Sequence, residues 1–209
     1  MGRLRRAVGP ERVCALLARV GGAIIHASLA AGEAVPVIGG AVETAPVRLL
    51  SGDDYAPEVI RRINGARESI RLAMYAISAA WPARGSREHD VFAVLAATPA
   101  RGIRCSAVLA SHPRGSKTAR YNLSAAVKLV EAGWTIRWAT QARLLHAKFI
   151  QFDSGAAIIG SHNISHSAIV SNVDLSVVVD FSAAGNPASQ WWESVLRSSQ
   201  KAGPSPWQS

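Results

Sequence analysis

The sequence is poor in cysteine, in acidic residues and in long apolar runs. Its 209 residues include two cysteines, Cys14 and Cys105. They are too few and too far apart for a disulfide framework or a cysteine-rich zinc site. No stretch reaches the about 18 uninterrupted apolar residues that a transmembrane helix needs. Because 49% of the residues are hydrophobic, the composition predicts a globular domain with a proper core rather than a disordered chain.

The shortage of acidic residues leaves the chain strongly basic. Lysine and arginine number 23 against 14 acidic residues, which gives a formal net charge of +9. This balance favours polyanionic partners, with nucleic acid first and an anionic membrane surface second. A genome rich in G and C can produce the same excess by inflating Arg and Ala together. Charge alone therefore does not choose the partner.

Residues 1–46 differ in composition from the rest and are predicted to be an amphipathic helical segment followed by a linker. The apolar stretch Val13–Ala31 is interrupted by Arg19 and His26, which favours a packing helix. A signal peptide or a membrane anchor is the alternative. Gly39-Gly40 and two prolines mark the linker. The compartment stays open: the cytoplasm is favoured, with secretion or the periplasm as the alternative.

From residue 47 to the end of the chain, strand-like and helix-like stretches alternate. The fold class predicted is α/β, a mixed sheet with helices on both faces. The predicted strands are 47–50, 69–78, 103–110, 135–140 and 173–181, besides a hairpin at 146–163. Four helices are predicted. The first begins near Pro57, and the other three cover 91–97, 122–132 and 187–200.

The hairpin at 146–163 carries the residues with chemical potential. His146 and Lys148 stand two apart in an apolar run, so on a strand both side chains point to one face. The same alternation places Ser161 and Asn163 on a common face of the second strand, while His162 should point away. A nucleophile candidate, a cation, a hydroxyl and an amide converge, which suits a phosphate group.

This stretch resembles the HKD signature of the phospholipase D superfamily, His-x-Lys-x4-Asp-x6-Gly-Ser-x-Asn. Six specified positions over eighteen residues make the motif specific. The resemblance implies a phospholipase D-like sandwich over about residues 47–197, with one HKD copy in this chain. The matching residues are His146, Lys148, Asp153, Gly160, Ser161 and Asn163.

The resemblance also implies a mechanism and a role for each motif residue. His146 would form a phosphohistidine, and because no second His-x-Lys is present, a homodimer would supply the second histidine to a shared active site. Lys148 and Asn163 would hold the phosphate oxygens, with Ser161 and Gly160 beside them. Asp153 would be a further catalytic residue or, as an alternative, a turn-forming residue, and the resemblance favours a mainly structural function for it. Lys148 would provide the positive charge, so neither an obligate metal nor a cofactor is implied.

Asp174 is the candidate for the acid that orients the catalytic histidine. It lies eleven residues after Asn163, where related enzymes commonly place a glutamate that hydrogen-bonds this histidine. Because aspartate is one methylene shorter than glutamate, either the backbone would have to approach more closely or the contact with the histidine would be looser. A strand-start charge facing solvent is the alternative.

The substrate is predicted to be DNA or RNA, because two basic loops follow strands near the site. The first, 81–90, carries a tryptophan and arginines, and the second, 112–120, carries Arg114 and Lys117 as substrate-binding candidates. Small single-copy HKD proteins also most resemble the bacterial endonuclease branch. The first alternative is a phospholipase D-type lipid phosphodiesterase acting at a phospholipid membrane. The second is a catalytically weak nucleic-acid-binding module.

Overall fold

The computed structural model describes residues 46–79, 87–113, 115–140, 144–181 and 186–201. The predicted N-terminal amphipathic helix and most of its linker lie outside these residues, as do Arg114 and the greater part of the first basic loop. The division into residues 1–46 and 47–209 therefore stays a prediction. Within the described ranges, no helix is both long enough and apolar enough to cross a bilayer.

One mixed sheet forms the centre of the described chain. The strands and α-helices of the described chain are, in order, β1 (Val47–Ser51), α1 (Tyr55–Gly65), β2 (Ser69–Met74), α2 (Arg87–Ala97), β3 (Arg104–Leu109), α3 (Lys117–Glu131), β4 (Thr135–Ala139), β5 (Lys148–Phe152), β6 (Ala156–Gly160), β7 (Leu175–Asp180), α4 (Pro187–Arg197) and β8 (Ser199–Lys201). The strand order is β1-β7-β6-β5-β2-β3-β4-β8. Strands β2, β3 and β4 run parallel, and all other neighbours are antiparallel. Helices α2 and α3 make the crossovers that parallel strands require.

The two faces of the sheet are covered by different helices. Because side chains alternate along a strand, Ile70, Leu72 and Met74 of β2 join the main core with α1, α2 and α3. Ala73 lies on the other face and packs with Phe149 of β5 against α4. The largest side chain that α4 buries there is Trp192, which is 1% exposed. The predicted α/β sandwich with helices on both faces is thus confirmed.

Several predicted element boundaries are wrong. Strand β2 ends at Met74 rather than residue 78, and α2 begins at Arg87 inside the predicted loop. Helix α3 begins at Lys117, five residues early, because the Ser116 hydroxyl caps it by accepting from the Ala119 N–H. The predicted C-terminal helix ends at Arg197, and after Ser198 the residues Ser199–Lys201 form β8 beside β4.

The topology brings the ends of several strands to one edge of the sheet. Residue Met74 at the end of β2 pairs with Lys148 at the start of β5. Gly160 at the end of β6 pairs with Ser176 near the start of β7. The segments that precede β5 and β7 and those that follow β2 and β6 therefore meet at this edge. Both halves of the HKD motif border it.

Candidate active site

His146 and Lys148 form a contacting pair at the start of β5. The Nζ atom of Lys148 lies 3.2 Å from Nε2 of His146 and 2.9 Å from the carbonyl oxygen of the same residue. His146 is exposed, whereas Lys148 is buried. Because an ammonium group can only donate, it places the lone pair of a neutral His146 on Nε2 and the ring proton on Nδ1. This arrangement agrees with the predicted function of His146 as a nucleophile, which stays a prediction.

The surroundings of Lys148 have opposing effects on its positive charge. Burial lowers the pKa of Lys148, and the nearby Asp174 carboxylate raises it in part. The ammonium also lies 4.8 Å from the centroid of the Tyr75 ring. A partly desolvated cation next to an exposed imidazole is suited to bind the non-bridging oxygens of a phosphodiester.

The two halves of the motif are joined through the segment that follows β2. The Tyr75 N–H donates to the Ala147 carbonyl, next to His146, and the Ile164 N–H donates to the Ala76 carbonyl. Ala76 also donates its N–H to Oδ1 of Asn163 at 3.2 Å. With Oδ1 engaged, the Nδ2 group is the end of the Asn163 side chain that can donate to an anion. This agrees with the predicted phosphate-binding function of Asn163, which stays a prediction.

Asp174 does not hydrogen-bond His146 in the structure, contrary to the prediction. Its carboxylate accepts from the Ser161 hydroxyl at 2.6 Å and from the Asn172 amide at 3.2 Å. Ser161 in turn accepts from the Leu175 N–H at 3.0 Å. The short aspartate is held beside its own strand by these partners. Its influence on the site is electrostatic, since its negative charge favours the protonated form of Lys148.

The same contacts revise the prediction for Ser161. Its single hydroxyl proton is donated to Asp174, so in this arrangement the hydroxyl is not a donor to phosphate. Ser161 instead joins the end of β6 to the start of β7. It is a positioning group for Asp174 and its loop.

Gly160 is required by the backbone of the neighbouring strand. A Cβ atom at this position would lie 2.2 Å from the Ser176 hydroxyl oxygen and 2.4 Å from the Ser176 Cα atom. The leading physical reason for glycine here is therefore the close approach of β6 and β7. This differs from the predicted place of Gly160 among the substrate-binding residues.

Asp153 serves the fold. It stands in the turn between β5 and β6 with a left-handed φ of 53°. Its carboxylate accepts from the backbone N–H groups of Arg67, Glu68 and Ser69, at 3.0, 2.8 and 2.9 Å. Burial opposes its charge, but these hydrogen bonds prevail and lower the pKa of Asp153. Asp153 thus ties the hairpin to the start of β2, in keeping with the structural alternative.

His162 is buried in the core side of the site. Its ring stacks on Tyr55 with centroids 4.0 Å apart, and Nδ1 lies 2.8 Å from the Ser176 hydroxyl oxygen. Burial lowers the pKa of His162, which keeps the ring neutral, although Asp174 acts in the opposite sense. The predicted orientation away from Asn163 matches this packing.

Lys117 is described and Arg114 is not. Lys117 is exposed at the first position of α3, with Nζ 5.5 Å from the Tyr121 ring centroid. Arg114 lies outside the described residues. Their predicted contact with substrate stays a prediction.

Sequence reasoning missed three residues that surround the site. Tyr75 contacts both His146 and Lys148. Asn122 and His112 both hydrogen-bond the Tyr75 carbonyl oxygen at 3.0 Å. Only Asn122 carried a detectable signal, because an amide on the apolar face of a helix needs buried partners. Among the described residues, no group of three or more His, Cys, Asp or Glu side chains is arranged to hold a metal ion.

An exposed imidazole, a buried ammonium and an amide group border one edge of the sheet in this α/β domain, and this set of groups suits a phosphodiester. The sequence profile of the family described as "Cardiolipin synthase, PLD-like domain" matches residues 59–196. The chain therefore belongs to the phospholipase D-like family, as its motif predicted. Its fold and family support a phosphodiesterase-type activity.

Solved structures share the fold at low sequence identity. Nuc from Salmonella typhimurium, described as a phospholipase D family member, has a TM-score of 0.61 and 19% identity over 75% of this chain and 99% of that one. NucT from Helicobacter pylori has a TM-score of 0.57 and 15% identity, covering 76% and 99%. Phosphatidylserine synthase from Haemophilus influenzae has a TM-score of 0.57 and 9% identity, covering 76% and 40%. Among curated proteins, none matches the sequence.

Proposed function

We propose that this chain is a metal-independent nuclease that hydrolyses DNA or RNA through a phosphohistidine on His146. The observation that carries the proposal is the contact between Lys148 Nζ and His146 Nε2 at 3.2 Å. It places an exposed nucleophile beside a cation that can balance the negative charge on the phosphate oxygens. No metal is required for either task.

The reaction proceeds in two displacements. In the first, Nε2 of His146 attacks phosphorus, and the bond from phosphorus to the leaving oxygen breaks as that oxygen takes a proton. In the second, water loses a proton and its oxygen attacks phosphorus, which breaks the phosphorus–nitrogen bond and releases a monoester. Lys148 and Nδ2 of Asn163 hold the non-bridging oxygens in both steps.

The proton donor and acceptor would be His146 of the partner subunit in a homodimer. The chain carries one His-x-Lys pair, and a two-fold axis brings two copies of one surface together. Exposed aliphatic side chains near this edge support such an interface. Leu144 lies just before β5, and Val170 and Val173 lie just before β7; all three are exposed. Burying them between two copies would favour association.

Nucleic acid is the preferred substrate because of charge and size. The net charge of +9 favours a polyanion. This chain also covers 99% of Nuc and of NucT, as expected for a small enzyme with one HKD copy. The motif's resemblance to the bacterial endonuclease branch points the same way.

A lipid phosphodiesterase is the second candidate function. It is favoured by the description of the matched family as a cardiolipin synthase and by the fold shared with phosphatidylserine synthase. Both descriptions name enzymes of phospholipid headgroup chemistry. The HKD geometry serves either diester, so substrate assays must separate the two.

The first experiment measures cleavage of single- and double-stranded DNA and RNA in EDTA. Wild type should cleave at least one of them, and His146→Ala should lose at least about a thousandfold in rate. His166→Ala, at an exposed histidine outside the proposed machinery, is the matched control. Headgroup release from phosphatidyl lipids with nucleic acid untouched would establish the lipid enzyme instead. Salt-sensitive nucleic-acid binding that survives His146→Ala without turnover would identify a binding module.

A second experiment tests the homodimer by light scattering coupled to size exclusion. Val173→Asp should reduce the dimer fraction and the cleavage rate together, because it places charge in the interface. Val127→Asp changes an exposed valine on α3 and should alter neither. Full activity in a strictly monomeric wild type would contradict the shared active site.

A further inference from the structure

Tyr75 lies between three basic side chains at the candidate site. Its ring centroid is 4.7 Å from that of His146 and 4.8 Å from that of His112, both in edge-type contacts. The Lys148 ammonium lies 4.8 Å from the same centroid. One half-buried ring therefore contacts both members of the catalytic pair.

The backbone of Tyr75 is fixed although it lies beyond the end of β2. Its carbonyl oxygen accepts from Nδ2 of Asn122 and from Nε2 of His112, each at 3.0 Å. Because a carbonyl can only accept, Nε2 of His112 carries a proton. The Tyr75 N–H donates to the Ala147 carbonyl at 2.9 Å. Both polar groups of the Tyr75 backbone are thus engaged.

Asn122 anchors this arrangement from α3. Its side chain is 0% exposed, and the Nδ2 group also donates to the Ala110 carbonyl at 3.1 Å. Its Oδ1 atom accepts from the Ile77 N–H at 2.9 Å. The buried amide therefore has partners for both donors and for its acceptor, which is the condition under which a buried polar group specifies one geometry.

We propose that Tyr75 is the positioning residue of the catalytic pair. Its ring holds the Lys148 ammonium against His146. Asn122 and His112 fix the Tyr75 backbone through its carbonyl oxygen and so fix the position of the ring. An aromatic face stabilises a cation most when water is excluded. Lys148 is such a cation, because it is buried yet must stay charged to bind phosphate.

The other charged and titratable groups near Lys148 are few in the described chain. His146 precedes it just before β5, Asp174 acts from the segment before β7, and His112 contacts the Tyr75 ring. Asp174 favours the protonated lysine, and a positive charge on either histidine would oppose it. The Tyr75 ring contacts both of these histidines as well as Lys148.

The test is an NMR titration of lysine side chains, which needs no substrate. The chain has four lysines, so labelling at the ε-carbon gives four signals, and Lys148→Arg identifies the one of interest. In Tyr75→Leu, we expect the pKa of Lys148 to fall by about 0.5 to 1 pH unit. In Tyr75→Phe, which keeps the aromatic face, it should stay close to the wild-type value.

Tyr121→Leu is the matched control. It removes another partly exposed aromatic ring, whose centroid lies 5.5 Å from Nζ of a different lysine, Lys117. It should leave the Lys148 signal in place. A Lys148 pKa that is unchanged or raised in Tyr75→Leu would overturn the proposal, because the ring would then be only a cover.

Activity measurements add a second reading, which rests on the proposed function. Tyr75→Leu should lower kcat between about tenfold and a hundredfold and move the alkaline limb of the pH profile to lower pH. His112→Gln keeps a donor for the Tyr75 carbonyl and should retain more activity than His112→Leu. Equal activity in those two variants would contradict the anchoring function of His112. If wild type cleaves no diester, the proposed function fails, while the NMR titration still decides the positioning of Lys148.

Discussion

The Nζ atom of Lys148 lies 3.2 Å from Nε2 of His146 and 2.9 Å from the His146 carbonyl oxygen. One ammonium group thus fixes both the ring and the backbone of an exposed histidine. Its donation to Nε2 selects the tautomer of the neutral ring whose lone pair is on the atom that would attack phosphorus. When a phosphodiester binds, its oxygens can compete for the ammonium and free the lone pair.

The first prediction concerns the pH dependence of diester hydrolysis. Burial lowers the pKa of Lys148, and the proposed reaction needs its charge. The rate should therefore fall on the alkaline side at a pH below the about 10.4 of an ordinary lysine. The measurement is kcat/KM against pH with bis(p-nitrophenyl) phosphate, with product quantified after quenching at one fixed pH.

Lys148→Arg separates this lysine from other titrating groups. The arginine stays protonated over the whole range, so a weaker enzyme without that alkaline limb is expected. An alkaline limb at the same pH in the arginine variant would assign it to another group.

The second prediction concerns Asp153, for which the sequence left catalytic and structural interpretations open. Asp153→Ala removes the acceptor of three backbone N–H groups and should cost about 2 to 3 kcal/mol in the free energy of unfolding. Asp153→Asn keeps an amide oxygen and tolerates the left-handed φ, so about half of that loss is expected. Urea denaturation measures both, with Ser154→Ala at the exposed neighbour as the control.

The activity of folded Asp153→Asn distinguishes the two interpretations. If Asp153 is structural, kcat per folded molecule should stay within about threefold of wild type. A loss of several hundredfold in a stable Asp153→Asn protein would restore the catalytic interpretation.

The third prediction concerns the packing of β6 on β7. Gly160→Ala places a Cβ atom 2.4 Å from the Ser176 Cα atom and 2.5 Å from the Leu175 carbonyl oxygen. Backbone atoms cannot move aside as a side chain can. We therefore expect the free energy of unfolding, measured by urea denaturation, to fall by at least about 3 kcal/mol. Adding Ser176→Ala should not restore stability, since the backbone clashes remain.

Gly155→Ala provides the control for the glycine prediction. No atom lies within 4 Å of a Cβ added at Gly155, so its effect should stay within about 0.5 kcal/mol. A near-neutral Gly160→Ala would show that the two strands can separate at the site.

Much of the fold and the centre of the site could be predicted from the sequence. Alternation placed His146 and Lys148 on one face and predicted the strand pair that carries them, and the structure has β5 and β6 there. Alternation did not reveal where β2 ends. Ile77 is as buried as Met74, and burial after a strand has the same apolar pattern as burial within it. The end of β2 at Met74, and with it the position of Tyr75 at the site, was therefore not predicted.

The remaining errors come from contacts between segments distant in sequence. The spacing of Asp174 from Asn163 suggested a partner for His146, but spacing does not show that the Ser161 hydroxyl captures the shorter side chain. Strand β8 is three residues long and pairs with β4, where Arg137 donates to the Ser199 carbonyl and hydroxyl oxygens. Such pairings carry no local periodic signal.

The fourth prediction concerns acid stability and the buried carboxylate Glu58 on α1. Glu58 is 6% exposed and accepts hydrogen bonds from Arg61 and Arg62, and it also pairs with Arg48. Burial opposes its charge, but the arginines prevail and lower the pKa of Glu58 from 4.5 to about 2. Because the folded pKa lies below the unfolded one, the stabilisation is complete above about pH 5 and is lost as the pH falls toward 2.

Glu58→Gln tests this linkage, since the amide keeps the shape but not the charge. At pH 7 it should lower the free energy of unfolding by about 3 kcal/mol, and the difference from wild type should shrink toward zero near pH 2. Urea denaturation of both proteins between pH 7 and pH 2 measures it. Glu131→Gln, at an exposed glutamate that ends α3, should stay within about 0.5 kcal/mol of wild type. A Glu58→Gln loss that is the same at every pH would show that packing, rather than the charge on Glu58, holds α1 beside β1.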